Sequence, residues 1–251
     1  MDHDLAHLRA EYGATPLRAV DAGTDPMALF AAWFAAARER ADLPEPNAMS
    51  VATVGADGSP SARMVLLKAV EVERAAFTWY TNLESRKATE ALRGGLAALC
   101  IWWAGAPATD GVPGRQVRMV GRVEPVARAD AAAYFARRPE EAQRGAAVSR
   151  QSRVIASRAE LDARAAALAT PITLPDDWGG LRLVADELEF WQGRAGRLHD
   201  RIAFLRVDDQ SGLPISAAGV EAAGGAEALE AAGTRVSDPH GATWVRVRLQ
   251  P

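Results

Sequence analysis

Between residues 48 and 126 the sequence carries five short runs rich in strand-forming residues, separated by turns, a loop or a short helix signal. The first two runs flank Gly55-Ala56-Asp57-Gly58, a composition typical of a hairpin turn. Strands joined by such a turn pair antiparallel. This block therefore favours an antiparallel sheet. The five predicted strands are 48–54, 61–68, 76–81, 96–103 and 116–126.

Helix signals lie on both sides of this block. Asp25 and Pro26 are typical of an N-cap and a first helical position, and an apolar stripe at helical spacing follows before Pro44. Ser85 is placed to cap a short helix over 86–92, and Ser157 with Glu160 forms a capping box. The remaining predicted elements are helices over 128–137 and 157–168 and strands over 181–184, 187–192, 201–207 and 243–249.

This order predicts an α+β fold with an antiparallel barrel or sandwich and peripheral helices. We expect residues 1–24 to form a mobile N-terminal arm and 25–251 a single domain. Residues 208–241 are rich in glycine and alanine, and we interpret them as an insertion between two paired strands, part helical over 220–231.

Composition excludes several classes of protein. With 49% hydrophobic and 24% charged residues among 251, the chain is typical of a soluble globular protein, and no window is apolar enough to span a membrane. A net charge of -3 argues against a protein that coats nucleic acid. The single cysteine, Cys100, permits neither an intrachain disulfide nor a cysteine-based metal site. We expect a cytoplasmic protein. We also expect no metal site, because His3 and His7, although spaced like metal ligands on a helix, lie in the predicted arm.

One basic cluster lies on a predicted strand, and a second follows another predicted strand. Arg63 and Lys68 are five residues apart, so on a strand they face opposite sides and serve different places. Arg86 and Lys87 occupy the first turn of a predicted helix, where cations oppose the helix dipole. That placement favours an anion at the same helix start, a phosphate above all, although both clusters also fit ordinary solvated surface.

A third cluster comprises Arg197, His199 and Arg201. Their alternate spacing predicts that all three side chains project from one face of an extended strand. Cationic groups so placed repel one another unless a ligand or an acid neutralises them, and a solvated edge strand is an equal alternative. The sequence contains no dinucleotide-binding glycine loop, no hydrolase nucleophile elbow and no Walker loop. From the residues alone, we predict an α+β protein whose basic clusters hold phosphorylated ligands.

Taken together, these clusters resemble the pyridoxine/pyridoxamine 5'-phosphate oxidase family. The motifs that carry the resemblance are ARMVLLK, TNLESRKA, VSRQS, EFWQG and RLHDR, within matching stretches that run in family order from His7 to Pro251. The resemblance implies an FMN-binding split β-barrel, antiparallel and Greek-key-like, with two FMN sites across a homodimer interface.

The resemblance also implies a role for each matching residue. The cofactor-binding residues would be Arg63, Met64, Val65, Leu66, Leu67, Lys68, Tyr80, Thr81, Arg86, Lys87, Gln116, Gln151, Ser152, Trp191 and Arg201. The substrate-binding residues would be Arg9, Tyr12, Lys68, Tyr134, Arg138, Arg197, Leu198 and His199. Arg197 and His199 would be catalytic, near the reacting carbon.

The implied reaction oxidises pyridoxine or pyridoxamine 5'-phosphate to pyridoxal 5'-phosphate, with O₂ as acceptor and H₂O₂ as product. Two alternatives remain open: a phenazine-pathway flavin oxidase of the same fold, and a non-catalytic flavin- or pyridoxal-phosphate-binding protein. Lys68 favours the vitamin B6 substrate, because phenazine-pathway enzymes look different there. Ala142 stands where the family commonly has a phosphate-binding serine, and Ala147 where it commonly has a tryptophan. Arg144 replaces an apolar residue, and it either supplies a compensating cation or marks a changed pocket.

Overall fold

The structure, a computed structural model, describes residues 15–103 and 114–251. The chain divides into two compact units, each assembled from separate stretches of sequence. Within the described residues, unit 1 comprises 15–47, 100–103, 114–119 and 186–251, and unit 2 comprises 48–99 and 120–185.

The described residues form eight α-helices and ten strands. The helices are α1 (Ala19–Ala22), α2 (Pro26–Arg38), α3 (Arg86–Gly94), α4 (Arg128–Ala136), α5 (Glu140–Val148), α6 (Arg158–Ala167), α7 (Ala217–Ala222) and α8 (Ala226–Ala232). The strands are β1 (Ala48–Val54), β2 (Pro60–Leu66), β3 (Ala69–Glu71), β4 (Ala76–Asn82), β5 (Leu96–Trp103), β6 (Arg115–Pro125), β7 (Trp178–Gln192), β8 (Asp200–Arg206), β9 (Thr234–Ser237) and β10 (Thr243–Leu249).

Unit 2 is an antiparallel arrangement of strands with α3 to α6 beside them. The predicted hairpin is present: β1 pairs antiparallel with β2, and Val51 lies opposite Arg63. Strand β4 pairs antiparallel with β3 and with the first half of β7, where Tyr80 lies opposite Gly180. The prediction of an α+β fold with antiparallel pairing is confirmed.

Unit 1 is built on the pairing of β8 with the second half of β7 on one side and with β10 on the other. Helix α2 begins as predicted, because Asp25 Oδ1 accepts a hydrogen bond from the backbone N–H of Met27 at 2.8 Å. Its aromatic side chains enter the core, where the Trp33 ring meets Phe190 edge to face with centroids 5.3 Å apart.

The predicted insertion lies between the paired strands β8 and β10 and contains α7, α8 and β9. Helix α8 contributes the buried side chain of Leu229, and Val220 and Ala223 pack beside it. These side chains cover Leu205 and Val247 together with their neighbours on β8 and β10. The insertion is therefore part of the hydrophobic core of unit 1.

Three differences from the predicted elements have physical reasons. Strand β7 is one continuous strand where two were predicted, because Ala185 and Asp186 between them are both buried in the ladder. Helix α5 was not predicted, because Pro139 before it has no side chain that could cap a helix. Within residues 15–24, predicted as mobile arm, α1 forms one helical turn and Leu17 is buried. None of the helices in the described ranges is long and apolar enough to cross a membrane.

Close backbone packing at Gly121 on β6 gives a test of the fold of unit 2. A Cβ atom added there would lie 2.0 Å from the carbonyl oxygen of Val184, which is backbone and has no room to move. We expect Gly121→Ala to lower the free energy of unfolding by about 3 kcal/mol or more, measured by urea denaturation.

Gly94→Ala is the matched control, since a Cβ atom at that helical position meets nothing within 4 Å. It should leave stability unchanged or raise it slightly, as alanine is the better helix former. Equal stability of the two variants would contradict the close approach of β6 and β7.

Candidate active site

Unit 2 contains a cavity of about 690 Å³, a volume typical of small-molecule sites. It lies among the end of β2, the end of β4, the start of α3 and the helices α4 and α5. The lining residues are Met64, Val65, Leu66, Lys68, Tyr80, Thr81, Asn82, Lys87, Tyr134, Arg137, Arg138, Pro139, Ala142, Gly145, Ala146, Ser149, Gln151 and Trp178.

Arg63 and Lys68 lie in different places: Arg63 is on β2, whereas Lys68 follows the end of that strand at Leu66, two residues earlier than predicted. Lys68 lines the cavity, whereas the Arg63 guanidinium donates to Thr53 Oγ1 at 2.5 Å and to Ser61 Oγ at 2.6 Å. Arg63 also lies 3.5 Å from Glu90 Oε2. Of the ARMVLLK motif, the cavity therefore receives Met64, Val65, Leu66 and Lys68, while Leu67 is buried.

The Lys87 ammonium lies at the cavity wall among neutral oxygen atoms. Its Nζ donates to Gln151 Oε1 at 2.5 Å, to Thr81 Oγ1 at 3.0 Å and to Ser85 Oγ at 3.3 Å. Ser85 precedes α3 as predicted, but its hydroxyl faces Lys87 and caps no helix N–H. Burial, with a smaller effect of the Arg63 charge, lowers the pKa of Lys87 to about 8.

The neighbouring cation, Arg86, has an acidic partner. Its Nε donates to Glu90 Oε1 at 2.6 Å, one turn along α3, and its backbone N–H donates to Ser152 Oγ. Hydrogen bonds, the largest from Thr53 and others from Arg86 and Ser61, lower the pKa of Glu90 to about 2. At this helix start the Lys87 ammonium therefore meets neutral oxygen atoms, whereas the charge of Arg86 is paired with Glu90.

Three aromatic rings form one wall of the cavity. The Tyr80 ring is stacked with Tyr134, with centroids 4.0 Å apart, and with Trp178, with centroids 5.4 Å apart, and the Tyr134 and Trp178 centroids are 6.1 Å apart. The Arg138 guanidinium lies 4.9 Å from the Trp178 ring centroid, and its buried Nη1 has no hydrogen-bond partner among the described residues. Burial lowers the pKa of Arg138. A flat wall with an unsatisfied guanidinium beside it favours a planar anionic ligand.

The charge of the lining has one sign. Lys68, Lys87, Arg137 and Arg138 contribute cations, and none of the described lining residues is an aspartate or a glutamate. A bound anion would stabilise these four cations, since no described lining residue supplies a carboxylate. Hydrogen bonds from lysine and arginine to phosphate are charge-assisted, and they are stronger than hydrogen bonds between neutral groups. The cavity is therefore suited to a phosphorylated ligand.

The RLHDR cluster lies in unit 1, and its predicted geometry is wrong. Arg197 ends a short 3-10 turn, Ala195–Arg197, with φ of 63°, and β8 begins only at Asp200. Gly196, also at positive φ, allows this turn, so strand alternation does not apply to Arg197 and His199. The three side chains do not share one strand face.

His199 and Arg201 each have partners within unit 1. His199 Nδ1 accepts from the backbone N–H of Arg194 at 3.1 Å, and its ring centroid lies 4.6 Å from that of Trp191. Burial, and then the charge of Arg197, lowers the pKa of His199, which favours the neutral imidazole. Arg201 Nε donates to Glu189 Oε1 at 2.7 Å, so an acid of the chain itself neutralises this cation.

Unit 1 also contains Gln116, half-buried on β6, and Leu198, which is exposed. In unit 2, Gln151 and Ser152 follow α5 and contact the first turn of α3. Arg9, Tyr12, His3 and His7 lie outside the described residues.

One cation of the cavity was not predicted from the sequence, and Arg144, which was considered as a further cation there, does not line the cavity. Arg144 donates through Nη1 to the carbonyl oxygens of Ala165 and Leu168, at 2.8 Å and 2.7 Å, and does not line the cavity. The extra cation is Arg137, next to Arg138. Two adjacent arginines at the end of a predicted helix were the available signal.

Residues 36–170 match the family described as pyridoxamine 5'-phosphate oxidase, and residues 178–251 match the pyridoxine 5'-phosphate oxidase C-terminal dimerisation region. A pyridoxine/pyridoxamine 5'-phosphate oxidase from Trichormus variabilis is 43% identical over 216 residues, covering 84% of this chain and 96% of the relative. The match to the dimerisation region supports a homodimer.

Two solved structures share the fold. PhzG from Burkholderia lata 383, in complex with tetrahydrophenazine-1-carboxylic acid, has a TM-score of 0.68 at 24% identity and covers 95% of this chain and 100% of its own. A pyridoxamine 5'-phosphate oxidase-related, FMN binding protein from Nostoc punctiforme has a TM-score of 0.58 at 17% identity, covering 73% and 91%. Both likenesses confirm the predicted split-barrel fold class. The chain therefore belongs to the pyridoxamine 5'-phosphate oxidase family, an oxidoreductase family whose cofactor is FMN.

Proposed function

We propose that this protein oxidises pyridoxine 5'-phosphate or pyridoxamine 5'-phosphate to pyridoxal 5'-phosphate, with O₂ as the acceptor and H₂O₂ as product. For the alcohol, substrate and O₂ give aldehyde and H₂O₂. For the amine, one water is consumed and ammonia is released in addition. The observation that carries the proposal is the cavity of unit 2, with four cations, no described carboxylate and a wall of aromatic rings.

The residues present fit a phosphorylated planar cofactor and a phosphorylated planar substrate. Lys87 with Thr81 and Gln151 offers a cation and polar atoms for a phosphate. Arg138 Nη1 is a buried donor that lacks a partner among the described residues, as expected of a group that a bound anion satisfies. When bound, FMN supplies the two-electron oxidation, and the protein supplies position and electrostatics.

We assign the residues as the family resemblance implies. Met64, Val65, Leu66, Lys68, Tyr80, Thr81, Lys87 and Gln151 line the cavity and would bind FMN together with Arg63, Leu67, Arg86, Gln116, Ser152, Trp191 and Arg201. Lys68, Tyr134 and Arg138 would hold the substrate phosphate, and Arg9 and Tyr12 would close over it. Arg197, Leu198 and His199 would contact the pyridine ring, with Arg197 and neutral His199 orienting the carbon to be oxidised.

We further propose that two FMN sites are shared across a homodimer interface, with residues from both subunits in each. The alternative substrate of the phenazine type has less support. PhzG is 24% identical to this chain, so the likeness supports the fold alone. The oxidase from Trichormus variabilis is 43% identical, and its name gives pyridoxine and pyridoxamine 5'-phosphate as its substrates.

The FMN-loaded protein, mixed anaerobically with pyridoxine 5'-phosphate, should lose its oxidised-flavin absorption band and regain it in air with aldehyde formed. A non-catalytic binding protein would keep the band unchanged, and that result would overturn the proposal. Retention of FMN with bleaching only by another substrate would point to the phenazine-type alternative.

Arg197→Ala should lower kcat by about 100-fold or more, because a preorganised charge near the reacting centre typically contributes that much. Steady-state oxygen consumption measures it, with bound FMN quantified in the same sample. Arg93→Ala, which removes an exposed arginine outside the cavity, is the control and should leave kcat within about twofold. A loss of less than about threefold for Arg197→Ala would remove this residue from the mechanism.

FMN affinity should fall as the pH rises through about 8. The pKa of Lys87 in the free protein is lowered to about 8, so above that pH the ammonium loses the charge that binds phosphate. The phosphate itself, with a second pKa of about 6, stays dianionic above pH 7 and contributes no change. Quenching of flavin fluorescence from pH 7 to 9.5 measures the Kd.

Lys87→Arg is the control for this pH dependence, because a guanidinium stays protonated over the whole range. Its Kd should vary by less than about twofold between pH 7 and 9.5 while the wild-type Kd rises by about tenfold. A flat wild-type profile would show that Lys87 does not carry the phosphate.

A further inference from the structure

The α5 side of the cavity offers no hydrogen-bond donor from its side chains until its end. Pro139, Ala142, Gly145 and Ala146 line the cavity in succession, and Ser149 is the first polar residue after them. A Cβ atom added at Gly145 would meet nothing within 4 Å, so this wall is open as well as apolar. A phosphate beside α5 therefore takes its side-chain donors from other elements that line the cavity, among them the residues that follow α4.

Two adjacent arginines follow α4, and the side chain of one is held by more contacts than that of the other. Arg138 is held over the rings of Trp178 and Phe135, with its guanidinium carbon 4.9 Å and 5.9 Å from their centroids. Arg137 is exposed, and its guanidinium carbon is 6.0 Å from the Tyr134 ring centroid. No described residue forms a hydrogen bond or ion pair with the Arg137 guanidinium, whereas Arg144 is fully engaged with α6 and Glu140.

We propose that Arg137 is a specificity-determining residue that donates hydrogen bonds to the substrate phosphate from the α4 side, where α5 has no donor. The planar guanidinium matches two phosphate oxygens at once, and such charge-assisted bonds are about twice as strong as neutral ones. Arg138 then provides a rigid contact and Arg137 an adjustable one. This inference rests on the proposed function, since it takes the phosphorylated substrate to lie in this cavity.

The test compares binding of pyridoxal 5'-phosphate and of unphosphorylated pyridoxal to the FMN-loaded protein, by equilibrium titration, beside the KM for pyridoxine 5'-phosphate. Arg137→Gln should raise the Kd for the phosphorylated ligand and the KM by about tenfold, with kcat within about twofold. Its Kd for pyridoxal and for FMN should stay unchanged. A merely structural role of Arg137 would weaken all three ligands together.

Arg144→Gln is the matched control, because it removes a guanidinium bonded to α6 carbonyls outside the cavity. It should leave the preference for the phosphorylated ligand intact, and thermal denaturation of both variants checks that they are folded. Ala142→Ser adds a hydroxyl to the bare wall. In the Arg137→Gln background it should recover at least about threefold of the lost affinity, and in the wild type it should gain less.

Different results would overturn the proposed function and the role of Arg137. A wild-type protein that binds pyridoxal and pyridoxal 5'-phosphate equally, or neither, would overturn both the inference and the placement of the substrate phosphate. Normal turnover and an unchanged phosphate preference in Arg137→Gln would overturn the inference alone and leave the proposed function standing.

Discussion

The cavity of unit 2 depends on the register between β4 and β7. That register places Tyr80 opposite Gly180 and Asn82 opposite Trp178. A Cβ atom at Gly180 would lie 2.9 Å from Tyr80 Cε1 and 2.9 Å from Val126 Cγ2, so only glycine lets the tyrosine ring lie flat at this point. The stacked rings of Tyr80, Tyr134 and Trp178, and the guanidinium over Trp178, follow from this one close approach.

Among the described residues, Lys87 and Arg138, which line the cavity of unit 2, lack the acidic partners that Arg118 and Arg201 have in unit 1. In unit 1, the guanidinium of Arg118 meets Glu189 at 2.6 Å as well as Glu187, and Arg201 meets Glu189 at 2.7 Å. In unit 2, Lys87 is surrounded by hydroxyl and amide oxygens, and Arg138 by rings. Paired charges stabilise a fold without a ligand, whereas cations with neutral neighbours leave part of their electrostatic potential for a ligand to satisfy.

Sequence patterns predicted what local chemistry decides. The start of α2 at Asp25 and the hairpin around Gly58 are fixed by residues within a few positions, and both are present. The continuity of β7 was not predictable, because Asp186 is kept in the strand by burial among distant residues. The prediction that Arg197 shares a strand face with His199 and Arg201 was wrong, because Gly196 turns the chain before β8 begins.

The site residues were also predicted only where distant contacts do not decide the direction of a side chain. The family resemblance pointed to Lys68, Lys87 and Arg138, all of which line one cavity. It could not separate Arg137 from Arg144, since the direction of each guanidinium depends on whether α6 offers carbonyl oxygens nearby. The pairing of Arg86 with Glu90 was open to sequence reasoning, because the two are four residues apart on a helix.

The insertion between β8 and β10 has a consequence for how this chain can change over evolutionary time. Its helices supply Leu229 as a cover for the apolar side chains of β8 and β10. A chain that lost this segment would present Leu205, Val245 and Val247 to water, an apolar strand surface prone to association. Shortening therefore requires polar replacements on both strands at the same time, which makes the acquisition of the segment hard to reverse by single steps.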